Sequence, residues 1–291
     1  MDRVALVVGA SGQVGRESSR ALAARGWSVV GTYRTRPANG LVPLDLLDEA
    51  ALRRTVRELR PALLVISSAL TNVDLCEEEP ARAEAMNARA PRVLAEACRD
   101  AGGRTFFLST EYVFDGERGP YGEDDPACPI SVYGATKLEG ERCVLAAAPG
   151  NLCLRTTVVY SFRPGDKNFV MQLRDRLSRG ERMRVPADQV STPTYAPDLG
   201  GAVAALADRD ASGVLNVVGP DVLGRLDFAV RAAHVLALPE NLLERVSTAE
   251  LGQRARRPLR AGLRSGRLRA LGIELRGVEA GLAAFAREAA P

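Results

Sequence analysis

The sequence predicts an α/β protein built on a doubly wound parallel sheet of the Rossmann type, and three observations predict it. Short apolar segments alternate with amphipathic segments of helical period over the first 150 residues. The apolar segments are nearly continuous in Val, Leu and Ile, which is typical of parallel strands covered by helices on both faces. A glycine-rich turn follows the first apolar segment and leads into a helical one, as in proteins of this fold class.

The predicted elements follow one another at short intervals. The pattern predicts strands over 3–8, 27–33, 62–67, 104–109 and 151–160, and helices over 12–25, 50–59, 81–101 and 132–147. We expect the third helix to break, or to begin again, near Pro91. The regularity then weakens, with a loop over 186–197, a helix that includes 202–207, a strand over 215–218 and mostly helical segments beyond.

This organisation predicts a Rossmann domain over residues 1–160 and a smaller C-terminal α/β lobe over residues 161–291, interleaved with the first. The length of 291 residues lies near the point where one core divides into two domains.

Composition excludes several classes of protein. The formal net charge of +3 is too small to indicate a nucleic-acid partner. The longest apolar runs have the length of strands, far below the roughly 20 residues that a membrane span needs. The N-terminus enters a strand without the apolar stretch of a signal peptide, so we expect a cytoplasmic protein.

The cysteines and the histidine narrow the chemistry further. The five cysteines are scattered without a Cys-x-x-Cys pair, and His234 is the single histidine of the chain. We therefore expect no disulfide framework and no metal site. A Ser-His-Asp triad is also improbable, because His234 stands in an apolar helical segment without the setting of a catalytic base.

The glycine turn predicts a dinucleotide site. Gly9 permits a tight turn after the first strand, Gly12 lets a pyrophosphate approach the backbone, and Gly15 lets the helix pack close to the sheet. The free N–H groups of the helix N-terminus attract phosphate. The intervening residues of the turn that we expect beside the cofactor are Ser11, Gln13 and Val14. The alternative is a purely structural turn.

The residues after the second strand indicate which cofactor binds. An NAD site usually carries Asp or Glu there to hold the ribose 2′-hydroxyl, whereas this chain has Arg34 and Arg36 and no acid. Arginine pairs well with a 2′-phosphate, so we expect NADP(H); the alternative is two solvated arginines. Asp45 and Leu46 are placed to reach the adenine ring, although Asp45 could instead cap the next helix, a role that Asp48 could also fill.

Tyr133 and Lys137 stand four residues apart in a predicted helix, and therefore on one face of it. A nearby ammonium lowers the pKa of a tyrosine, which could then donate a proton to a carbonyl oxygen. Thr110, with Ser109 as the second choice, follows the fourth strand and could hydrogen-bond the same oxygen. An ordinary turn at the strand end is the alternative for these hydroxyls.

Taken together, these motifs resemble the dTDP-4-dehydrorhamnose reductases, which are extended short-chain reductases. The resemblance covers nearly the whole chain and rests on Gly-Ala-Ser-Gly-Gln-Val-Gly (9–15), Thr-Asn-Val-Asp (71–74), Ser-Thr-Glu-Tyr-Val-Phe-Asp-Gly (109–116), Val-Tyr-Gly-Ala-Thr-Lys-Leu-Glu-Gly-Glu (132–141), Leu-Arg-Thr (154–156) and Thr-Pro-Thr-Tyr-Ala (192–196). The chain departs from the family pattern at Glu111, where Asp is usual, at Val158, where Trp is common, and at Ser67, Ser68 and Ala69 beside the nicotinamide.

The resemblance implies which residues act and which bind. Thr110, Tyr133 and Lys137 would be catalytic, with Tyr133 and Lys137 also touching the cofactor. The strand end Arg155–Thr157 and the loop around Gln189–Thr194 would approach the sugar nucleotide. The full set that we expect at the substrate is Thr71, Val73, Asp74, Glu111, Tyr112, Phe114, Thr157, Asn168, Phe169, Gln189 and Thr194.

The favoured function is NADPH-dependent reduction of a nucleotide-linked 4-keto sugar, and a homodimer is compatible with it. Reduction of another carbonyl compound is an alternative. A sugar-nucleotide epimerase or dehydratase is another, although those enzymes usually hold NAD with an acid on the second strand. A third alternative is a catalytically silent NADP(H)-binding subunit, because Gly31–Pro37 is similar to a segment of the regulatory beta subunit of methionine adenosyltransferase. The arginine-rich segment 254–269 is either solvated surface or an attractor of a diphosphate substrate.

Overall fold

The computed structural model describes residues 3–289. The strands are β1 (Val4–Val8), β2 (Ser28–Tyr33), β3 (Leu41–Pro43), β4 (Leu63–Ile66), β5 (Arg104–Thr110), β6 (Leu152–Thr156), β7 (Val159–Tyr160), β8 (Met183–Pro186), β9 (Val190–Ser191), β10 (Thr194–Tyr195), β11 (Gly213–Asn216), β12 (Leu223–Gly224) and β13 (Leu243–Val246). The α-helices are α1 (Gln13–Ala24), α2 (Glu49–Leu59), α3 (Val73–Glu78), α4 (Pro80–Glu84), α5 (Ala90–Asp100), α6 (Val132–Ala147), α7 (Phe169–Ser178), α8 (Ala196–Ala207), α9 (Arg225–Val235), α10 (Gly266–Ala270) and α11 (Val278–Ala289).

Seven of these strands form one parallel sheet in the order β11-β6-β5-β4-β1-β2-β3. The predicted fold class is therefore confirmed. The strand order reverses at β1, because β2 lies on one side of it and β4 on the other. In doubly wound sheets such a switch point opens a crevice at the carboxyl ends of the strands, where ligands bind.

Alternate side chains of the strands enter two apolar layers. Val7, Val65 and Phe106 face one layer, which α1 and α8 cover. Leu6, Leu64 and their alternating neighbours face the other layer, which α2, α5 and α6 cover. Burial of these side chains stabilises the fold by about 25 cal/mol for each Å² of apolar surface removed from water. The sheet between the two layers is therefore a rigid platform for the loops at its carboxyl end.

The smaller lobe has an apolar core of its own, in which Val170, Leu173, Phe228, Leu282 and Phe285 are buried. The chain nevertheless returns to the main sheet after residue 160, since α8 packs on α1 and β11 forms the edge strand beside β6. The division of the chain at residue 160 stays a prediction.

The predicted strand over 151–160 is wrong as a continuous element. Val158 has a φ of 42°, a left-handed conformation that a β-branched residue rarely adopts. The chain therefore turns out of the large sheet after β6, and β7 pairs with β10 instead. The predicted loop over 186–197 contains two short strands, β10, which pairs with β7, and β9, which pairs with β12.

The predicted helix over 81–101 is interrupted, and α5 begins again at Ala90, next to Pro91, as expected. Pro91 lies in the first turn of α5, where its missing N–H costs nothing. A single π-helical segment, Ala85–Arg89, joins α4 to α5. Within it, Asn87 accepts a hydrogen bond from the Leu70 N–H at 2.8 Å, and this contact ties the helix to the loop after β4.

The described residues contain neither a membrane-spanning helix nor a group of metal ligands. Between residues 3 and 289, no helix combines the length and the apolar character that crossing a bilayer requires. The same residues include no group of three or more His, Cys, Asp or Glu side chains placed to hold a metal ion.

Candidate active site

A cleft of about 630 Å³ lies at the carboxyl ends of β1, β2 and β4. It contains most residues that the sequence predicts at the cofactor: Gly9, Ser11, Gly12, Gln13, Val14, Gly15, Arg34, Arg36, Ser67, Ser68 and Ala69. Thr71 and Asn168, expected at the substrate, also line this cleft. Residues that the sequence reasoning missed complete the wall: Thr35, Met86, Val159, Asp166 and Lys167.

Each of the three glycines of the turn is suited to its position for a different physical reason. Gly9 has a φ of 91°, which other residues rarely adopt. A Cβ on Gly15 would lie 2.3 Å from the carbonyl oxygen of Gly9 and 2.6 Å from Ser67 Oγ, so a side chain there would separate α1 from the sheet. A Cβ on Gly12 would meet only the Gly9 oxygen, at 3.3 Å, which leaves the cleft side of Gly12 open.

The N-terminus of α1 suits a phosphate. Gly12 is its N-cap and provides no side-chain acceptor for the first N–H groups of the helix, so these donors are available to an anion. Asn168 supports the opposite wall, since its Nδ2 donates to Gln13 Oε1 at 2.9 Å and to the Ser161 oxygen at 2.8 Å. The residues present therefore fit the pyrophosphate of a dinucleotide.

The far end of the cleft suits an additional anionic group. Arg34 and Arg36 both line it just beyond β2, whose sequence Ser-Val-Val-Gly-Thr-Tyr contains no acid. No carboxylate lies within 4.0 Å of either guanidinium among the described residues, so both retain donors for a phosphate. This arrangement fits NADP(H) better than NAD(H).

A second cleft, of about 310 Å³, adjoins the first, because Thr71 and Val159 line both. Tyr133 contributes to its wall from α6, and the strand end of β5 contributes Thr110. Further residues predicted here do line it: Val73, Ser109, Glu111, Tyr112, Thr157 and Gln189. A carbonyl compound in this cleft would therefore lie between Tyr133 and the cofactor cleft.

The hydroxyl of Thr110 is bound to Glu111 in the same cleft as Tyr133. Thr110 Oγ1 donates to Glu111 Oε2 at 2.8 Å and accepts from the Tyr112 N–H at 3.2 Å. Burial raises the pKa of Glu111, opposed by hydrogen bonds that include the one from Thr110. Burial, together with the charge of Glu111, raises the pKa of Tyr133 well above its ordinary value.

Lys137 lies behind Tyr133 and lines neither cleft. Its Nζ donates to the Leu108 oxygen at 2.6 Å and lies 3.7 Å from the centroid of the Phe107 ring. Burial lowers the pKa of Lys137 to about 7, opposed by the charge of Glu141. Burial thus raises the pKa of Tyr133, contrary to our expectation from the Tyr–Lys spacing, and Lys137, which is directed at a backbone oxygen, does not offset it.

Comparison with known proteins agrees with this geometry. The family model described as the RmlD substrate binding domain matches residues 3–290. This chain belongs to the RmlD family of dTDP-4-dehydrorhamnose reductases. It is accordingly an extended short-chain dehydrogenase/reductase by family, with an NADP-binding Rossmann fold.

Individual relatives of the RmlD family show the range of similarity. The dTDP-4-dehydrorhamnose reductase of Streptomyces griseus is 42% identical over 72% of this chain, and the matched segment spans 66% of that relative. The crystal structure of dTDP-4-dehydrorhamnose reductase from Bacillus anthracis in complex with NADP superposes with a TM-score of 0.91 at 28% identity, over 99% of this chain and 100% of that one. Methionine adenosyltransferase 2 subunit beta of Danio rerio is 30% identical over 94% of this chain and 86% of that protein.

Two residues expected at the adenine ring do not reach the cofactor cleft in this RmlD-family chain. Leu46 is 2% exposed and packs in the core. Asp45 is exposed and accepts a hydrogen bond from the Leu47 N–H at 3.1 Å. Asp45 does not cap α2, because Asp48 does so by accepting from the Ala51 N–H at 2.9 Å.

Several residues that the family resemblance implied at the substrate lie elsewhere. Phe114 is fully buried and stacks on Tyr121, with ring centroids 4.2 Å apart. Thr194 is also fully buried and donates to the Thr192 oxygen at 3.0 Å. Asn168 lies on the cofactor side, where its side chain caps α7 by accepting from the Met171 N–H.

Three further residues have supporting contacts instead of a place in the substrate cleft. Asp74 Oδ2 is 2.8 Å from Arg257 Nη2. Phe169 lies under the guanidinium of Arg225. Arg155, on the strand end expected near the substrate, forms a buried bidentate pair with Glu141, at 2.9 and 2.7 Å.

The sequence reasoning also missed residues of the substrate cleft. They are Val158, Arg225, Pro258 and Ala261, whereas Thr156, Val190 and Ser191 lie within the ranges Arg155–Thr157 and Gln189–Thr194 that were expected there. Arg225 carried one signal that could have found it: a cation at the first residue of a helix opposes the helix dipole. A residue that opposes its local structure is a candidate for a role in function.

Proposed function

We propose that this protein catalyses NADPH-dependent reduction of a nucleotide-linked 4-keto sugar. The adjoining clefts carry the proposal, because one fits a dinucleotide with a 2′-phosphate and the other contains Tyr133 and Thr110. Hydride donor, carbonyl carbon and proton donor can then meet near Thr71 and Val159. The names of the Streptomyces griseus and Bacillus anthracis relatives support the same reaction class.

Tyr133 supplies the proton in the proposed reaction. Its raised pKa keeps the phenol protonated at neutral pH, which suits an acid that must hold its proton until the carbonyl oxygen gains electrons. Hydride addition to the carbonyl carbon makes that oxygen an alkoxide, a stronger base than a phenolate. The proton therefore passes from Tyr133 Oη to the sugar oxygen, and Tyr133 regains a proton from solvent.

Thr110 and Lys137 assist Tyr133 in different ways. Thr110 lines the cleft together with Tyr133, where its hydroxyl would bind the same sugar oxygen. Lys137, buried one helical turn away, carries an ammonium that titrates near neutral pH and attracts the negative charge left on the phenolate. Bound NADPH would supply the hydride, held by the glycine turn and by Arg34 and Arg36.

The test follows oxidation of NADPH at 340 nm with dTDP-linked 4-keto sugars, using wild type and Tyr133→Phe. We expect consumption that depends on the keto sugar and falls at least about a hundredfold in the variant. Tyr33→Phe is the matched control, since Tyr33 lies at the end of β2 and lines neither cleft. Equal rates for wild type and Tyr133→Phe would contradict the proposed role.

A catalytically silent NADP(H)-binding subunit is the second candidate. The relative from Danio rerio, named as a subunit, matches 94% of this chain and favours it. Tight NADPH binding without oxidation by any keto sugar would support this candidate and would refute the reductase. A catalytic cycle that regenerates its own cofactor, as in an epimerase, would show turnover of sugar without net loss of NADPH.

A further inference from the structure

Arg225 has hydrogen-bonding capacity that the rest of the protein does not use. Its side chain lines the substrate cleft. Its Nε is buried and has no hydrogen-bond partner within residues 3–289. In the same described part of the chain, no carboxylate lies within 4.0 Å of its guanidinium. A buried donor of a charged group that stays unpaired destabilises the fold, so this arrangement requires an explanation.

The guanidinium is held in a defined orientation. It lies over the ring of Phe169, 4.3 Å from the centroid, and Phe169 stacks in turn on Phe228 with centroids 5.8 Å apart. This stacking occupies the face of the guanidinium and leaves the in-plane N–H groups free. Planar N–H groups in this fork match the oxygens of phosphate and carboxylate groups.

The surroundings of Arg225 favour a bound anion. A second guanidinium, that of Arg257, is close enough to disfavour the charge of Arg225. Arg257 is anchored to Asp74 at 2.8 Å, yet its Nη1 is also buried without a partner among the described residues. Asp74 pairs with Arg257, and Glu111, whose charge burial disfavours, is a further acid beside Arg225. Among residues 3–289, Arg225 is therefore the cation of this group that has no carboxylate partner within 4.0 Å.

We propose that Arg225 binds the anionic group of the substrate, which in a nucleotide-linked sugar is the diphosphate. Its Nη–H groups donate to phosphate oxygens, and Arg257 adds a second positive charge behind them. The sugar then extends from Arg225 towards Tyr133, because both side chains line the same cleft. This inference rests on the proposed function, and it assigns Arg225 as a residue that selects a substrate with a diphosphate.

The experiment measures binding and does not depend on turnover. Calorimetric titration with dTDP and with thymidine is done on wild type, Arg225→Gln and Arg231→Gln, each with NADP+ present. Arg231 is the matched control, because it lies on the same helix α9 and forms an exposed pair with Glu279. Thermal unfolding verifies that each variant is folded.

We expect Arg225→Gln to weaken dTDP binding at least about tenfold, since a charge-assisted hydrogen bond is lost. Arg231→Gln should leave it within about twofold. Thymidine, which lacks the diphosphate, should bind weakly and equally to all three proteins. Equal dTDP affinity in wild type and Arg225→Gln would overturn the inference, and so would a wild type that does not bind dTDP.

The outcomes for Arg225 and for the reductase can be separated. Binding of dTDP that depends on Arg225, without oxidation of NADPH by any keto sugar, would keep this inference and refute the proposed activity. Turnover of a keto sugar with dTDP affinity unchanged in Arg225→Gln would refute this inference and support the proposed activity. In an active enzyme, Arg225→Gln should raise KM at least about tenfold and leave kcat within a few fold, as expected for a group that contributes equally to binding the ground state and the transition state.

Discussion

Replacing Glu141 by Gln should destabilise the protein strongly, although Glu141 lines neither cleft. Glu141 and Arg155 form two hydrogen bonds of 2.9 and 2.7 Å, and their side chains are 2% and 5% exposed. Gln preserves the shape but leaves a buried guanidinium without its counter-charge. Removing one partner of such a pair costs about 3–5 kcal/mol, which we expect as the loss in the free energy of unfolding.

Urea denaturation followed by circular dichroism measures this loss. Glu139→Gln is the matched control, because Glu139 lies on the same helix and pairs with Arg142 on the surface. An exposed pair of this kind contributes at most about 1 kcal/mol. Replacing both Glu141 and Arg155 by Met should recover most of the loss, since no buried charge is then left unpaired. A loss below about 1 kcal/mol for Glu141→Gln would refute the reasoning.

The same substitution has a second, independent readout. The charge of Glu141 opposes the lowering of the Lys137 pKa by burial. Without that charge the Lys137 pKa falls further, and its ammonium is lost at a lower pH. In an active enzyme, the pH above which turnover declines should therefore shift downward in Glu141→Gln. An unchanged pH profile would show that Lys137 and Glu141 are not coupled.

Three further predictions concern the glycine turn, the two arginines beyond β2 and the buried lysine. Gly15→Ala should lower stability by about 1–3 kcal/mol through overpacking, whereas Gly12→Ala should leave the melting temperature nearly unchanged and weaken NADPH binding; the reverse pattern would contradict the geometry of the turn. Replacing Arg34 and Arg36 together by Ser should weaken NADPH binding at least about tenfold and leave NADH binding nearly unchanged, and fluorescence titration with both cofactors checks this. Burial lowers the Lys137 pKa from near 10.5 to about 7, so its destabilising effect is full below pH 7 and declines as pH rises towards 10.5. Between pH 7 and pH 9, wild type should therefore gain about 2 kcal/mol of stability relative to Lys137→Met, and parallel pH dependence in the two proteins would rule out a buried amine.

The sequence predicted those parts of the site that depend on local patterns. The glycine turn is confined to seven residues, and the spacing of Tyr133 and Lys137 follows from one turn of helix α6. The physical cause of each of these patterns lies within the segment itself. The parallel sheet was predictable in the same way, because strands buried on both faces must be apolar throughout.

The remaining parts depend on contacts between distant segments. Arg225 reaches the cleft because a helix of the smaller lobe begins there, and neither its stacking on Phe169 nor its free Nε has a local signature. The left-handed Val158 contradicts its own residue preference, so no propensity predicts it. Lys137 points at the Leu108 oxygen because α6 packs on β5, and helical spacing alone does not give that direction.

The packing of α8 on α1 has a consequence for the order of events during synthesis on the ribosome. A Cβ on Gly200 would lie 2.5 Å from the backbone of Glu17, so the two helices approach very closely. The helix that presents the glycine turn is made first, but its partner emerges some 180 residues later. Until then, the apolar face of the nascent sheet that α8 covers is only partly covered, by α1, and such exposed faces favour aggregation. We therefore expect a ribosome-bound chain that ends before α8 to resist NADPH binding and to require chaperones, and one that extends past β11 to acquire binding in a single step.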